Sequence, residues 1–268
     1  MILQSVQMFT KALDNDDVRE GEPNRLVRSF MMDVSRIFEL QRVKVLDCMY
    51  SRKAMDAGML ARIVAAIMQT TEAMAAAIEP HVGSLVVSGG KAGMKEIQQP
   101  FDVFDVVNPK VASFIRQYSI KLAGEVNTHS AEVLARSIGE GIDDGDSSAM
   151  LSMRVNDVYS EFSGNRSEMI ARTESARAFV EGTNEAWRES GLVEGKVWLL
   201  ANSACAICNA IASKFGGEPI PLDQPFFPLG ATIPLANGKQ YSVDYAAIMG
   251  PPGHPNCRCG VKPVLKGA

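Results

Sequence analysis

Apolar residues recur at helical spacing through the first two thirds of the chain. Residues 24–52 carry them at three- and four-residue steps, which predicts a helix. Residues 54–79 show the same period, and Pro80 is predicted to end this second helix. Its stripe is predicted to lie in the core and comprises Met55, Met59, Ile63, Ile67, Met74 and Ile78. The two helices are expected to form an α-hairpin.

Turn and cap residues divide the next part of the chain. Asn108-Pro109 predicts a helix start, with that helix ending near Leu122 or Gly124 and another covering about 130–138. Asp146-Ser147-Ser148 predicts the cap of a helix to about Tyr159. The run 165–168 predicts a further helix start, and Gly191 its end.

The glycine-rich stretch Gly83–Lys91 has some likeness to a phosphate-binding loop. Its spacing is wrong, and no Ser or Thr follows the lysine. We therefore expect a flexible loop or a short strand with a glycine turn.

A strand period replaces the helical one after Gly191. Residues 196–200 predict a strand, and 232–235 with 240–243 predict a hairpin around Asn237-Gly238. The predicted fold class is α+β, with a mostly helical N-terminal part and a small β-rich C-terminal unit. The predicted divisions are a helical arm and α-hairpin region (1–108, with a frayed arm over 1–23), a helical part (109–191) and the small β-rich unit (192–268).

Composition narrows the class of protein. The 268 residues are 46% hydrophobic, which is typical of a globular chain. No apolar run approaches the roughly 20 residues of a membrane span, so no membrane partner is expected. The net charge of −4 argues against a global electrostatic grip on DNA.

Cysteine and histidine concentrate in two short runs near the C-terminus. The spacing is C-x2-C followed by H-x2-C-x-C, formed by Cys205, Cys208, His254, Cys257 and Cys259. Thiolate and imidazole are ligands that Zn²⁺ prefers, so the runs predict a zinc site that staples the small β-rich unit 192–268 and makes it a metal-binding unit. Five donors exceed a four-coordinate ion by one, and Cys205 or Cys259 is the expected spare. Two alternatives stay open, disulfides and buried thiols; no secretory signal is visible at the N-terminus, which disfavours the first.

The helix after residue 165 carries Arg172, Glu174, Arg177 and Glu181 at ion-pairing distance along the chain. We interpret them as a salt-bridged face that sets structure, in preference to a catalytic glutamate with an arginine partner.

Several features occur in a fixed order along the chain. They are the run Ile170–Glu174, Gly191, Val197-Trp198, the Cys205/Cys208 pair and the run His254–Cys259. This order resembles the phage Mu F-like minor head protein family, also called the SPP1 gene-7-like head morphogenesis proteins, over residues 110–265. Many members have a polar or His-containing run in place of the Cys205/Cys208 pair, so the metal prediction depends on this chain's own residues.

The resemblance implies a structural virion protein of a tailed bacteriophage, assembled in the host cytoplasm and located near the portal vertex. The implied partners are the portal protein or the major capsid protein, with DNA as a further candidate. Arg172 and Glu174 would be signature positions of the family.

Two other functions can be set against this one. The first is a zinc-dependent hydrolase or nuclease-like enzyme, but H-E-x-x-H and the deaminase pattern are absent from the sequence, and no catalytic residue is predicted. The second is direct DNA binding through a local basic face, for which scattered solvated charges are the alternative interpretation. The residues of that face would be Lys196, Lys239, Arg258, Lys262 and Lys266.

Overall fold

A computed structural model describes residues 22–50, 58–100 and 108–267, the side chains from residue 25 onward. Its helices are α1 (Glu22–Tyr50), α2 (Met59–Met68), α3 (Thr71–Glu96), α4 (Pro109–Asp143), α5 (Ser148–Glu161), α6 (Ser167–Ser190) and α7 (Ala206–Phe215). A π-helical turn, Phe162–Arg166, lies between α5 and α6. The strands are β1 (Val193–Leu199), β2 (Ile220–Pro221), β3 (Thr232–Pro234), β4 (Gln240–Ser242) and β5 (Gly260–Leu265).

This architecture confirms the predicted α+β class. Helices fill the N-terminal part, and short strands follow α6. The predicted arm over 1–23 lies outside the described residues except for Glu22 and Pro23, which begin α1. None of the described helices has the length and apolarity that a membrane span requires.

Strand β1 is the centre of the principal sheet, which has the order β2-β1-β5 with antiparallel pairing throughout. Strands β3 and β4 form a separate antiparallel pair, which confirms the predicted hairpin. Gly238 in its turn has φ +78°, a conformation that glycine adopts without steric cost.

The described residues divide into two units. The C-terminal unit comprises 22–27, 82–100, 108–112 and 172–267; the helical unit comprises 28–50, 58–81 and 113–171. All five predicted metal ligands belong to the C-terminal unit. The predicted divisions 1–108, 109–191 and 192–268 stay predictions.

The helical unit combines an apolar core with a buried polar network. Met59, Ile63, Ile67, Met74 and Ile78 are all buried, which confirms the predicted stripe; Met55 lies outside the described residues. Within this core the Gln41 amide donates to Thr70 Oγ1 and to Asn127 Oδ1, each at 2.8 Å. Because buried amides are costly without partners, this network fixes how α1, α3 and α4 align.

Several predicted helix boundaries are wrong. Pro80 does not end its helix, because α3 runs through it to Glu96 with Ile78 and Val82 buried on either side. Burial of these side chains outweighs the roughly 3 kcal/mol that an interior proline costs. The predicted helix 54–79 is two helices, α2 and α3, separated at Thr70, whose hydroxyl accepts from Gln41 and donates to Ile67 O.

The predicted break between residues 124 and 130 is absent, since α4 is continuous from Pro109 to Asp143. Asn127 and Ser130, which look like loop residues in the sequence, are buried and hydrogen-bonded within the helical unit. The predicted helix start at Asn165 is also wrong. The π-helical turn carries the chain into α6, and Arg166 donates from there to Ser130 Oγ at 2.9 Å.

Other caps are confirmed. Asn108 Oδ1 accepts from the Lys110 amide at 2.9 Å, and Ser147 caps α5 by accepting from the Met150 amide. Gly191 follows α6 with φ +64°.

Gly83–Lys91, expected to be a loop or a short strand, is part of α3. A Cβ at Gly89 would overlap the carbonyl of Phe179 on α6, and one at Gly93 would lie 3.0 Å from the Thr183 carbonyl. Thr183 Oγ1 donates to Gly89 O at 3.0 Å, which joins the two helices at this crossing. These glycines therefore allow two helices to pack closely. The stretch resembles a phosphate-binding loop only in its glycine content.

We expect Gly89→Ala to destabilise the C-terminal unit by about 1 to 3 kcal/mol, because α3 and α6 must move apart to admit the methyl group. The matched control is Gly124→Ala in α4, where a Cβ meets nothing within 4 Å. The control should be neutral or stabilise by up to about 1 kcal/mol. Urea denaturation measures both changes, and equal effects at the two positions would contradict the packing role of Gly89.

The carboxyl group of Glu96 generates a second prediction. Both of its oxygens are buried without a hydrogen-bond partner, and burial raises its pKa to about 7 from 4.5. Since the folded pKa is the higher one, the contribution of this group to stability is fully present below pH 4.5 and is lost as pH rises through 7.

Glu96→Gln should therefore flatten the fall in stability between pH 5 and 8, and stabilise the protein at pH 8 by on the order of 1 to 3 kcal/mol. Urea denaturation at both pH values measures this. Glu125→Gln, at an exposed position of α4, should leave the pH dependence as it is. If the Glu96→Gln variant retained the parent's pH dependence, Glu96 would not be its source.

Candidate metal centre

Pairing of β1 with β5 brings the two Cys/His runs together. Leu199 at the end of β1 lies opposite Gly260 at the start of β5. Cys205 follows Leu199 by a short turn, and Cys259 immediately precedes Gly260. Two runs separated by 45 residues in the sequence are thus adjacent in the fold.

The first run lies at the N-terminus of α7. Cys205 is the N-cap residue, with extended backbone (φ −76°, ψ 172°), and its carbonyl accepts from the Asn209 amide at 3.0 Å. Cys208 lies in the first turn and is buried, whereas Cys205 is exposed. The first run therefore presents one exposed and one buried sulfur at the start of α7.

The second run turns back on itself. The Cys257 amide donates to His254 O at 3.2 Å, and Asn256 has φ +58°, a left-handed conformation that asparagine tolerates. A Cβ at Gly253 would lie 2.9 Å from Ile211 Cδ1, so this glycine lets the loop pack closely on α7 without displacing the isoleucine side chain. The turn directs His254 and Cys257 towards the first run.

The predicted ligands form two groups of three that share Cys208. One group is Cys205, Cys208 and His254; the other is Cys208, Cys257 and Cys259, all three buried. Within each group the ligand atoms lie within 4.8 Å of one another. The structure therefore brings all five predicted residues together, in an arrangement that could bind a metal ion.

Individual distances fit a coordination sphere. Cys205 Sγ and Cys208 Sγ lie 3.0 and 3.2 Å from His254 Nε2, and Cys208 Sγ lies 3.5 Å from Cys257 Sγ. Around a tetrahedral zinc with Zn–S bonds of about 2.3 Å, two sulfurs lie about 3.8 Å apart. The observed spacing is slightly tighter than this, and small side-chain rotations would open it.

The imidazole of His254 is oriented as a ligand would be. Its Nδ1 lies 2.7 Å from the carbonyl oxygen of Pro255 and donates to it, since a carbonyl only accepts. In the neutral ring this leaves the lone pair on Nε2, the atom that faces Cys205 and Cys208.

The disulfide alternative does not describe this structure. All five cysteines are among the described residues, and each is a free thiol. Cys208, Cys257 and Cys259 lie in an apolar cluster with Trp198, Ile211 and Phe226.

Crowding of thiols affects their protonation. The pKa of Cys208 is raised because it donates hydrogen bonds to Cys257 and Cys259 and is buried, while that of Cys259 is lowered because it accepts from Cys208 and Cys257. A bound cation would let more of these sulfurs be thiolates at once.

Helix α6 supports the second run. The Asn256 amide donates to Thr173 Oγ1 at 3.2 Å, and Thr173 is buried. No separate role for Thr173 was predicted from the sequence, although it lies between Arg172 and Glu174. No periodic pattern in the sequence shows that its hydroxyl is buried against the loop that carries His254 and Cys257. Within the predicted salt-bridged face of α6, Arg177 Nε pairs with Glu174 Oε2 at 3.1 Å. The Arg177 guanidinium also lies over the ring of Tyr245, 5.1 Å from its centroid.

The predicted basic face is wrong at one position. Lys196 is buried, its Nζ donates to Leu222 O at 2.7 Å, and burial lowers its pKa to about 8. The Lys196 side chain is directed into the protein interior, where it reaches the Leu222 carbonyl, and so it cannot contact DNA. Lys239, Arg258 and Lys266 are exposed, and Lys262 is half-buried.

No protein-family model, curated protein or solved structure matches this chain. The functional assignment therefore depends on the chemistry of the Cys and His side chains and on the order of the motifs along the chain.

Proposed function

We propose that the Cys/His cluster binds one structural Zn²⁺ and that the chain is a minor head protein of a tailed bacteriophage. In this proposal four of Cys205, Cys208, His254, Cys257 and Cys259 hold the ion. The zinc joins the N-terminus of α7 to the loop before β5, and so stabilises a unit whose strands are short.

The donor chemistry supports zinc. Sulfur with one imidazole nitrogen is typical of structural zinc sites. The strands of the C-terminal unit have two to seven residues, and the two sheets have three and two strands. A metal cross-link supplies stability that such small sheets provide only in part.

A structural role is favoured over catalysis by the surroundings of the cluster. A catalytic zinc requires a ligand position open to substrate and a nearby general base. Glu174, the acid that sequence reasoning considered for that role, has a side chain only 8% exposed and is paired with Arg177. A thiolate-rich ligand set also weakens the Lewis acidity that hydrolysis of DNA would use.

The head-protein role is supported by the contact between two of the motifs that carry the resemblance. Thr173, within the run Ile170–Glu174, accepts from the amide of Asn256, within the run His254–Cys259. Motifs that are 83 residues apart in the sequence thus form one local structure. Such a compact C-terminal unit suits a protein that binds the portal or the major capsid protein near one vertex, with DNA as a further partner.

One zinc per chain is the expected result of elemental analysis of the purified protein. Cys208→Ser should abolish it, because Cys208 belongs to both groups of three donors. Loss of the ion should destabilise the C-terminal unit by several kcal/mol, seen as greater susceptibility to proteolysis after residue 192. Cys48→Ser, in α1, should retain the zinc; a metal content that is the same in the Cys208→Ser variant as in the parent would refute the site.

The head role is tested on particles of the phage that encodes this chain. Quantitative mass spectrometry of purified particles should find its peptides in far fewer copies than those of the major capsid protein. In complementation of a deletion, the Cys208→Ser chain should enter particles poorly and the Cys48→Ser chain normally. Particles that are complete and infectious without the chain would overturn the proposal.

A further inference from the structure

The cluster contains one donor more than a tetrahedral ion uses. Its five residues fall into two groups that overlap at Cys208, and Cys208 Sγ is itself 3.5 Å from Cys257 Sγ. Cys208 therefore lies where the two groups meet. The group with Cys205 forms one end of the cluster, and the group with Cys259 forms the other.

These two end residues differ in exposure. Cys205, the N-cap residue of α7, is exposed to solvent. Cys259 is 1% exposed and lies in the apolar cluster beside Trp198. Reagents in solution can therefore reach the sulfur of Cys205, while that of Cys259 is shielded from them.

Removal of either end residue leaves four candidate donors. Without Cys205 they are Cys208, His254, Cys257 and Cys259; the three sulfurs lie within 4.8 Å of one another, and His254 Nε2 lies 3.2 Å from Cys208 Sγ. Without Cys259 they are Cys205, Cys208, His254 and Cys257, with Cys257 Sγ 3.5 Å from Cys208 Sγ. Either combination matches the sulfur and imidazole ligands of structural zinc sites.

We infer that Cys205 and Cys259 are interchangeable fourth ligands, so that Cys205 is a modification site for soft electrophiles that reacts while the ion stays bound. This inference rests on the zinc site proposed above. Exchange would move the ion towards the buried group formed by Cys208, Cys257 and Cys259.

The reaction balances with a maleimide as the probe. The Cys205 thiolate adds to the alkene carbon, a C–S bond forms, and the resulting enolate takes a proton from water. The thioether leaves the ion, and Cys259 replaces it by giving its thiol proton to the solvent. One proton is consumed and one is released, and the ion keeps three thiolates and one imidazole.

The test uses the full chain with Cys48→Ser, treated with one equivalent of N-ethylmaleimide in the presence of a colorimetric zinc chelator. Peptide mapping should find the adduct on Cys205, with at least about 80% of the zinc retained. In the same chain carrying Cys259→Ser, modification of Cys205 should release zinc at least ten times faster. Because the buried position 259 tolerates change poorly, Cys259→Ala provides a second version of this variant.

Metal content of unmodified variants gives an independent measurement. Cys205→Ser and Cys259→Ser should each hold one zinc, and the double variant should hold none. If the parent chain binds no zinc, both the site and the exchange are refuted. If the parent binds zinc but Cys205→Ser binds none, or if maleimide addition at Cys205 releases the ion from the parent, only the exchange is refuted.

Discussion

Antiparallel pairing of β1 with β5 is the interaction on which the candidate metal centre depends. It places Leu199 opposite Gly260, so the chain leaves one strand towards Cys205 and enters the other from Cys259. Gly195 lets β2 lie close on the other side of β1, since a Cβ there would lie 2.9 Å from Ile220 O. A sheet of three short strands thus decides which cysteines can meet, before any ion is considered.

The elements around the sheet hold the ligands in place. Helix α7 carries Cys205 and Cys208 at its first turn, and its Ile211 packs against the loop that contains His254. Helix α6 reaches the same loop through Thr173. The loop is therefore supported from two sides, while one candidate ligand, Cys205, faces solvent. Support of this kind positions metal ligands by the packing of side chains that do not themselves bind the ion.

The sequence was informative where residues have local consequences. The caps at Asn108 and Ser147, the glycine after α6 and the hairpin turn follow from the backbone preferences of those residues. The clustering of Cys and His side chains follows from their shared chemistry. Boundaries failed where tertiary contacts override local preference. Pro80 and Asn127 are breakers by propensity, yet each lies inside a helix because buried neighbours or hydrogen bonds offset the cost.

The roles of side chains that depend on how deeply they are buried could not be predicted from the sequence either. Lys196 lies next to apolar residues in a strand and carries a charge that is typical of a surface residue. It is nevertheless fully buried, and its Nζ donates a hydrogen bond to the Leu222 carbonyl. Thr173 has no pattern that separates it from any other helical threonine. To predict the role of either residue, one must know where residues distant in the chain lie. The helical period of about 3.6 residues and the strand period of about 2 do not encode that information.

The crossing of α3 and α6 has a consequence for this support. At Gly89 and Gly182 the main chains of the two helices lie so close that a Cβ at either glycine would overlap a carbonyl of the facing helix. A contact between main chains has no rotamers, so it limits how far this junction shifts when neighbouring side chains repack. The direction in which α6 presents the Thr173 hydroxyl therefore depends on backbone geometry. Sequence changes elsewhere in the core leave this hydroxyl directed at the Asn256 amide.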